Sequence, residues 1–416
     1  MTPTLDPIWA VHNINDHVSN QPVMSVYNGQ VLDGLSRLAS NSVHVAFTSP
    51  PYWKVRDYGV EGQLGQEPTL VEHVDNLVAV FRELRRVLHP CGVLWVNYGD
   101  VLAQNGKPIS DKEQEANIIR SKERGYATTV FGGRKQWQRA SGTARGSGLA
   151  EKQLLLIPER LALAMQKDGW DQNRGKKGWW LRSQTVWQKG NANSESIKDR
   201  PSRDHEMIYM FSKSSRYFYD VYAVRNNMRV VDGWIYGSQL RTTWKVATSA
   251  AKSGHPAVFP PELPRRGILL GSSCLGCCPE CLCPVHPVYE SGPADLEWQK
   301  RCGGDENGEY HGLARRDYSK TLSQDPSEVK RRKLKSMKPH KLVGGRPSCK
   351  CLTRLAQAVP CRVLDPFSGE GTTGDMALAN GRFYTGLELN QKDVEFQLRN
   401  LGPRAEQWRD LRAGAR

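Results

Sequence analysis

No apolar run in the 416 residues approaches the ~18 residues that a membrane span requires. The opening stretch, MTPTLDPIWAVHNIND, has no basic region followed by an apolar one, so no secretory signal is expected and the protein is read as cytoplasmic. Cysteine is scarce for a disulfide scaffold, with ten in the chain, and eight of them fall between Cys274 and Cys351. Without an export signal, such a cluster points to a metal site rather than to disulfides. Acidic residues fall short of basic ones, 43 against 58, giving a net charge of +15 and a pI near 9.4. Part of that surplus is concentrated at Lys330-Arg331-Arg332-Lys333 and Lys335, which favours a polyanionic partner over charge spread for solubility. No internal repeat is visible. Apolar residues are not lacking: counting Gly in place of Tyr brings them to about 44%, close to the globular norm, which excludes wholesale disorder and a collagen-like repeat.

At roughly 150 residues per domain the length suggests two or three domains. Val43–Thr48 reads as a short buried strand ended by Ser49-Pro50-Pro51. Residues 71–88 carry Val74, Leu77, Val78, Phe81, Leu84, Val87 and Leu88 at helical spacing, stopped at Cys91-Gly92, and residues 92–97 (GVLWVN) form a second buried strand. This β–α–β order implies a parallel sheet. Residues 102–150 are rich in Gly, Ser, Lys and Arg with weak periodicity and read as a mobile insertion. A helix is expected over 158–168, and strands over 179–188, 206–212 and 217–220. Residues 290–340 show little apolar pattern, and 362–416 return to alternating strand and helix.

Two short stretches carry chemistry. In Asp365-Pro366-Phe367-Ser368-Gly369-Glu370-Gly371-Thr372-Thr373, a strand–turn–helix junction, Gly369 and Gly371 let backbone approach a nucleotide-like group. At the end of the next strand comes Glu388, placed to accept hydrogen bonds from ribose hydroxyls. The turn lacks the Lys-Ser/Thr of a P-loop and the third glycine of a dinucleotide fingerprint, so an adenosine cofactor without pyrophosphate, S-adenosylmethionine, fits better. In Thr48-Ser49-Pro50-Pro51-Tyr52-Trp53, the prolines lock the backbone after a strand end. Ser49 and the Pro50 carbonyl then offer fixed acceptors and Tyr52 an aromatic face, a set suited to a planar base bearing an exocyclic amine.

Together these stretches resemble the amino-methylating DNA methyltransferases, which modify cytosine N4 or adenine N6. Their catalytic motif is Asp/Asn/Ser-Pro-Pro-Tyr/Phe and their cofactor motif Asp-Pro-Phe-x-Gly-x-Gly-Thr-Thr. Here the catalytic motif precedes the cofactor motif, as in the permuted beta group. The likeness extends to Arg56–Gly59, Val96–Asp100, Trp187–Asn191, Asp199–Pro201, His205-Glu206 and His255–Pro260, whose Phe259 falls on the cofactor side. At Asn28-Gly29 the chain departs from relatives that carry an acid near the adenine.

The resemblance implies a Rossmann-like class I methyltransferase fold in permuted order, with an inserted small zinc-binding domain. The expected divisions are a catalytic half at 1–101, the insertion at 102–150, the rest of the catalytic region at 151–271, a Cys-rich basic insert for zinc and target recognition at 272–352, and a cofactor-binding half at 353–416. Methyl transfer would be direct, with Ser49, Pro50, Pro51 and Tyr52 at the target amine. Asp365, Pro366, Phe367, Ser368, Gly369, Gly371, Thr372, Thr373, Glu388 and Phe259 would serve the cofactor. A Ser at the first catalytic position favours cytosine N4, with adenine N6 the alternative. An RNA or protein-amide methyltransferase is more remote, given the permuted order and Ser49, and so is a non-catalytic zinc DNA-binding protein, since Ser49–Tyr52 and Gly369–Gly371 are intact. Cys278-Pro279-Glu280-Cys281 and Cys349-Lys350-Cys351 would supply four thiolates for a closed structural zinc site, as in relatives with similar pairs. Cys274, Cys277, Cys283, Cys302 and His286 are rival ligands. Double-stranded DNA is the expected partner, with a cognate restriction enzyme as a further one. The source would be prokaryotic or phage, and the state a monomer or homodimer.

Overall fold

The computed structural model describes residues 9–10, 23–105, 143–170, 178–192, 195–249 and 259–414. The elements in chain order are β1 (Trp9–Ala10), β2 (Met24–Asn28), α1 (Val31–Ser36), β3 (Val43–Thr48), α2 (Leu70–Val87), β4 (Leu88–Tyr98), α3 (Thr143–Ser147) and α4 (Ile157–Lys167). There follow β5 (Trp180–Lys189), β6 (His205–Ser212), β7 (Arg225–Val231), β8 (Trp234–Gln239), β9 (Thr243–Val246) and α5 (Glu262–Gly271). The rest comprises β10 (Val285–Ser291), α6 (Leu296–Arg301), α7 (Pro326–Lys335), β11 (His340–Pro347), β12 (Arg362–Asp365), α8 (Thr372–Ala379), β13 (Phe383–Glu388) and α9 (Gln391–Gly414).

The large sheet runs β1-β2-β13-β12-β3-β4-β6-β5-β9. From β2 to β4 all neighbours are parallel, as the β–α–β order implied. Strand alternation sorts its side chains onto two covered faces. On β4, Leu94 and Val96 join the layer of Leu77, Phe81 and Leu84 from α2, while Val93 and Trp95 join Leu263 and Ile268 from α5 and Ala377 from α8. Helix α2 starts on a capping box between Thr69 and Glu72 and buries its apolar stripe from Leu70 to Val87. Helix α5 approaches so closely that a Cβ on Gly267 would stand 2.6 Å from the Phe47 ring, and one on Gly271 2.5 Å from Val93.

Strand β12 comes from the far end of the chain yet lies between β13 and β3. The chain's two ends are thereby joined inside one sheet. In open parallel sheets the crevice at the carboxyl ends of such central strands is where ligands bind.

A second sheet runs β10-β11-β8-β7. It draws two strands from 151–271 and two from 272–352. Beside it, α7 carries the basic run; Asp325 caps its start, and Lys330 Nζ lies 4.3 Å from the Tyr310 ring centroid.

Two local expectations change. Cys91-Gly92 does not stop α2: the strand already begins at Leu88, so both residues lie inside β4. Residues 217–220 are not a strand, because Phe218 and Asp220 donate their backbone N–H groups to Cys91 and Leu270 carbonyls rather than to a ladder. The polar stretch 290–340 contains two helices, α6 and α7, both started by Asp caps. Of the insertion expected at 102–150, residues 106–142 lie outside the described residues, as do His255–Val258.

Candidate active site

The two sequence motifs meet because β12 and β3 pair directly, with Val363 opposite Val45 and Leu364 opposite Ala46. Asp365 joins them. Its Oδ1 accepts from Thr48 Oγ1 at 2.7 Å and from the Phe367 N–H at 3.1 Å, and its Oδ2 accepts from Thr373 Oγ1 at 2.7 Å. Burial pushes this carboxyl up to about 6. Asp365, Gly371 and Thr373 stand behind the cavity wall, where they shape the turn.

In front of them lies a cavity of about 510 Å³, in the usual range for small-molecule sites. Ser49, Pro50, Pro51 and Tyr52 line one side; Pro366, Phe367, Ser368, Gly369, Thr372 and Glu388 line the other, and Phe259 closes against them. The Gly-rich turn is held open by its backbone. Gly371 has φ +83°, and a Cβ there would meet Gln397 Cγ at 2.8 Å. Gln397, from α9, braces the same loop: its Nε2 donates to Ser368 Oγ at 2.8 Å and to the Gly369 carbonyl at 2.7 Å.

Glu388 stands at the end of β13 with Oε2 accepting from Gly369 N–H at 2.7 Å and Oε1 from Asn390 N–H at 2.9 Å. One further acceptor site remains on each oxygen for a ligand's hydroxyls. Burial pushes this carboxyl up to about 7. Asn28 donates from Nδ2 to the Glu388 and Leu389 carbonyls, both at 3.1 Å. It therefore braces the strand end that carries Glu388. A nucleoside-bearing cofactor fits this set: a Gly turn without side chains, an aromatic wall, and an acid with free acceptor capacity.

On the opposite wall the Tyr52 ring stacks on Tyr98, with centroids 4.5 Å apart. The approach depends on Gly99, where a Cβ would lie 2.8 Å from Tyr52 Cε2. Tyr52 Oη accepts from Ser49 Oγ at 3.3 Å and from Asn97 Nδ2 at 2.9 Å, and donates to Glu206 Oε2 at 2.8 Å. Glu206 also accepts from Asn97 Nδ2 at 2.8 Å and from Lys189 Nζ at 2.6 Å. Among the described residues none donates to Ser49 Oγ or to the Pro50 carbonyl, so both acceptors are available to a ligand amine.

Asn97, Lys189, Glu206 and Gln397 were not singled out as site residues from sequence. The first three sit in stretches that resemble the family; Gln397 has no local signal, since only the packing of α9 brings it to the loop.

The sulfurs of Cys278, Cys281, Cys349 and Cys351 lie within 4.8 Å of one another. Tetrahedral zinc–thiolate geometry needs sulfurs about 3.8 Å apart, so the set fits such an ion. A hydrogen bond with Cys281 pushes the Cys351 thiol up to about 12. Of the rivals, Cys277 groups instead with His44 and Cys361. His44 is a satisfied core histidine: Nε2 donates to the Leu282 carbonyl at 2.8 Å and Nδ1 accepts from Arg362 N–H at 3.0 Å. Burial lowers it to about 3, keeping it neutral.

The family model described as DNA methylase matches residues 43–274. The Type II methyltransferase M.XycI of Xanthomonas campestris pv. cyanopsidis is 38% identical over 307 residues, 72% of this chain and 86% of that protein. The Type II methyltransferase M.Cfr9I of Citrobacter freundii is 39% identical over 247 residues, 59% of this chain and 71% of that protein. A solved structure titled PvuII DNA methyltransferase (cytosine-N4-specific) aligns over 93% of each chain at 13% identity, with a TM-score of 0.47. No helix among the described residues is long and apolar enough to cross a membrane. With its proline turn and Gly-rich turn on adjacent parallel strands around one cavity, the chain belongs to the N4/N6 amino-group DNA methyltransferase family.

Proposed function

We propose that the protein transfers a methyl group from S-adenosylmethionine to N4 of cytosine in double-stranded DNA, as the modification partner of a cognate restriction enzyme. Ser49 at the head of the Pro-Pro-Tyr turn supports cytosine through the resemblance of that motif to cytosine-N4 enzymes, and its geometry supports an exocyclic amine as the target. Its hydroxyl proton points to Tyr52, which leaves its lone pairs, beside the Pro50 carbonyl, for the amino hydrogens of a flipped base. Drawing those hydrogens toward acceptors helps the nitrogen pyramidalise. Bound against Phe367, Gly369 and Glu388, S-adenosylmethionine supplies an electrophilic methyl. The protein holds donor and acceptor in line and excludes water. Adenine N6 is the second reading, because the same acceptors suit either amine.

Nucleoside mass spectrometry of unmethylated DNA after incubation with the cofactor tests this. N4-methylcytosine is expected from the wild type and not from a Ser49→Ala, Tyr52→Ala variant. N6-methyladenine would move the reaction to the second reading.

The ordinary Glu388 value of 4.5 is raised by burial to about 7. Ionised, the group accepts from ribose hydroxyls; protonated, it turns one acceptor into a donor. Cofactor affinity is therefore expected to fall as pH drops through about 7 and to level off above it. Without cofactor the sign reverses: this group favours the folded protein below 4.5 and loses that contribution as pH rises through about 7. Calorimetric titration with cofactor at pH values on both sides of 7 checks the first claim, with Glu388→Gln expected to bind weakly and without the slope. A flat wild-type profile would remove Glu388 from the ribose site.

The four-cysteine cluster is proposed to hold a structural zinc. The basic helix α7 and the neighbouring small sheet are proposed to meet the DNA backbone, with the residues reading the target close by.

A further inference from the structure

We infer that Glu206 is a positioning residue at the end of a hydrogen-bond relay that runs from the target amine through Ser49 and Tyr52. The inference rests on the methyltransferase reading above. The direction of the relay follows from donor counting. Tyr52 Oη already accepts from Asn97 Nδ2, and Glu206, as a carboxylate, can only accept. Tyr52 must then give its single proton to Glu206, and Ser49 gives its own to Tyr52. Burial and the adjacent Glu206 raise the Tyr52 phenol well above its ordinary value, so it acts as a neutral donor and not as a phenolate. Ser49 is left with acceptor lone pairs facing the cavity. The Ser49–Tyr52 contact of 3.3 Å is long for two hydroxyls, as catalytic contacts often are before substrate binds.

The reaction creates the need for such a path. As the target nitrogen gains the methyl, the donor's carbon–sulfur bond breaks and leaves a neutral thioether, and the positive charge passes to the nitrogen. One N–H proton must then leave. It passes to Ser49 Oγ, the Ser49 proton to Tyr52 Oη, and the Tyr52 proton to Glu206 Oε2. Glu206 ends protonated and both hydroxyls are restored.

The groups facing Glu206 come from several elements. Tyr52 follows β3, Asn97 and Tyr98 lie on β4, Lys189 ends β5, and Asp204 and His205 adjoin it on its own segment. Lys189 Nζ, at 2.6 Å from Oε1, pairs with the carboxylate and turns it so that Oε2 meets Tyr52. No other carboxylate touches Tyr52 among the described residues.

The test is a double-mutant cycle of single-turnover methyl transfer with Tyr52→Phe and Glu206→Gln, on DNA with S-adenosylmethionine. Tyr52→Phe keeps the ring and removes only the hydroxyl. Each single variant is expected to lose about a hundredfold in rate. The double variant should match either single one within about twofold, because a broken relay cannot be broken twice. Cofactor and DNA affinities, measured by calorimetry and by fluorescence anisotropy, should stay within about threefold of the wild type, which also shows that the variants fold. A normal solvent deuterium isotope effect on the wild-type rate should vanish in both variants, and Glu206→Asp should restore part of the rate and of the isotope effect. Losses that multiply in the double variant, or a Glu206→Gln enzyme as fast as the wild type, would overturn the relay alone. Absence of any methylated base with the wild-type protein would overturn the function itself, in a separate arm of the experiment.

Discussion

The zinc proposed for the four-cysteine cluster is expected to lock the small sheet, so that stripping it unlocks that sheet while leaving the large one intact. Cys278 and Cys281 lie just before β10, and Cys349 and Cys351 just after β11. These two strands pair antiparallel from Val285↔Pro347 to Ser291↔His340. An ion bound by all four sulfurs would close the open end of this pair. Structural zinc binds such thiolates with about 10–16 kcal/mol, far more than the small apolar cluster of Val285, Leu352 and Leu275 can replace. The protein is therefore expected to purify with one zinc per chain. Chelation, or Cys281→Ser, should collapse hydrogen-exchange protection of β10 and β11 while S-adenosylmethionine binding survives, since the cofactor walls belong to the other sheet. Metal analysis and exchange mass spectrometry on the same sample check this. Full β10–β11 protection in a metal-free protein would remove zinc from the fold.

Asp365→Ala is expected to cost stability and cofactor binding together. The side chain is 1% exposed and serves two hydroxyls and one backbone N–H. Removing it strands the Thr48 and Phe367 donors in a dry site, at about 1–3 kcal/mol for each unsatisfied group, while Thr373 keeps the Phe47 carbonyl at 3.3 Å. A total loss of about 2–6 kcal/mol would be a large part of an ordinary domain's stability. The functional loss has the same origin, because Thr48 precedes the catalytic turn and Phe367 starts the cofactor turn. Asp365→Asn keeps an oxygen toward Thr48 and Phe367 and should be milder. Urea unfolding with a parallel cofactor titration separates the two effects. A folded Asp365→Ala protein with normal cofactor affinity would show that the turn holds its shape without this clamp.

How far the sequence reaches can be judged residue by residue. The strands at Val43–Thr48 and Phe383–Glu388 and the helix at Thr372–Ala379 were legible because Pro50, Gly371 and Gly381 mark their boundaries, and those signals are local. The same holds for Ser49–Tyr52, for the turn Gly369–Gly371 and for Glu388, whose chemistry is written in adjacent residues. The β4 start at Leu88 was not legible, since an apolar helix end and an apolar strand start look alike when no breaker separates them.

Other features depend on residues far apart in the chain. Asp365 could be read as a cofactor acid, but only the pairing of β12 with β3 turns it toward Thr48, 317 positions away. Glu206 reaches Tyr52 across 154 positions, and Gln397 reaches the Gly-rich turn from a helix whose own pattern gives no sign of it. The sequence alone determined the local conformations and the kinds of chemical group on offer, because propensity, patterning and turn chemistry act over a few residues. The tertiary structure decided which groups meet and which donor faces which acceptor, because sheet order and register bring together atoms that no short-range rule connects.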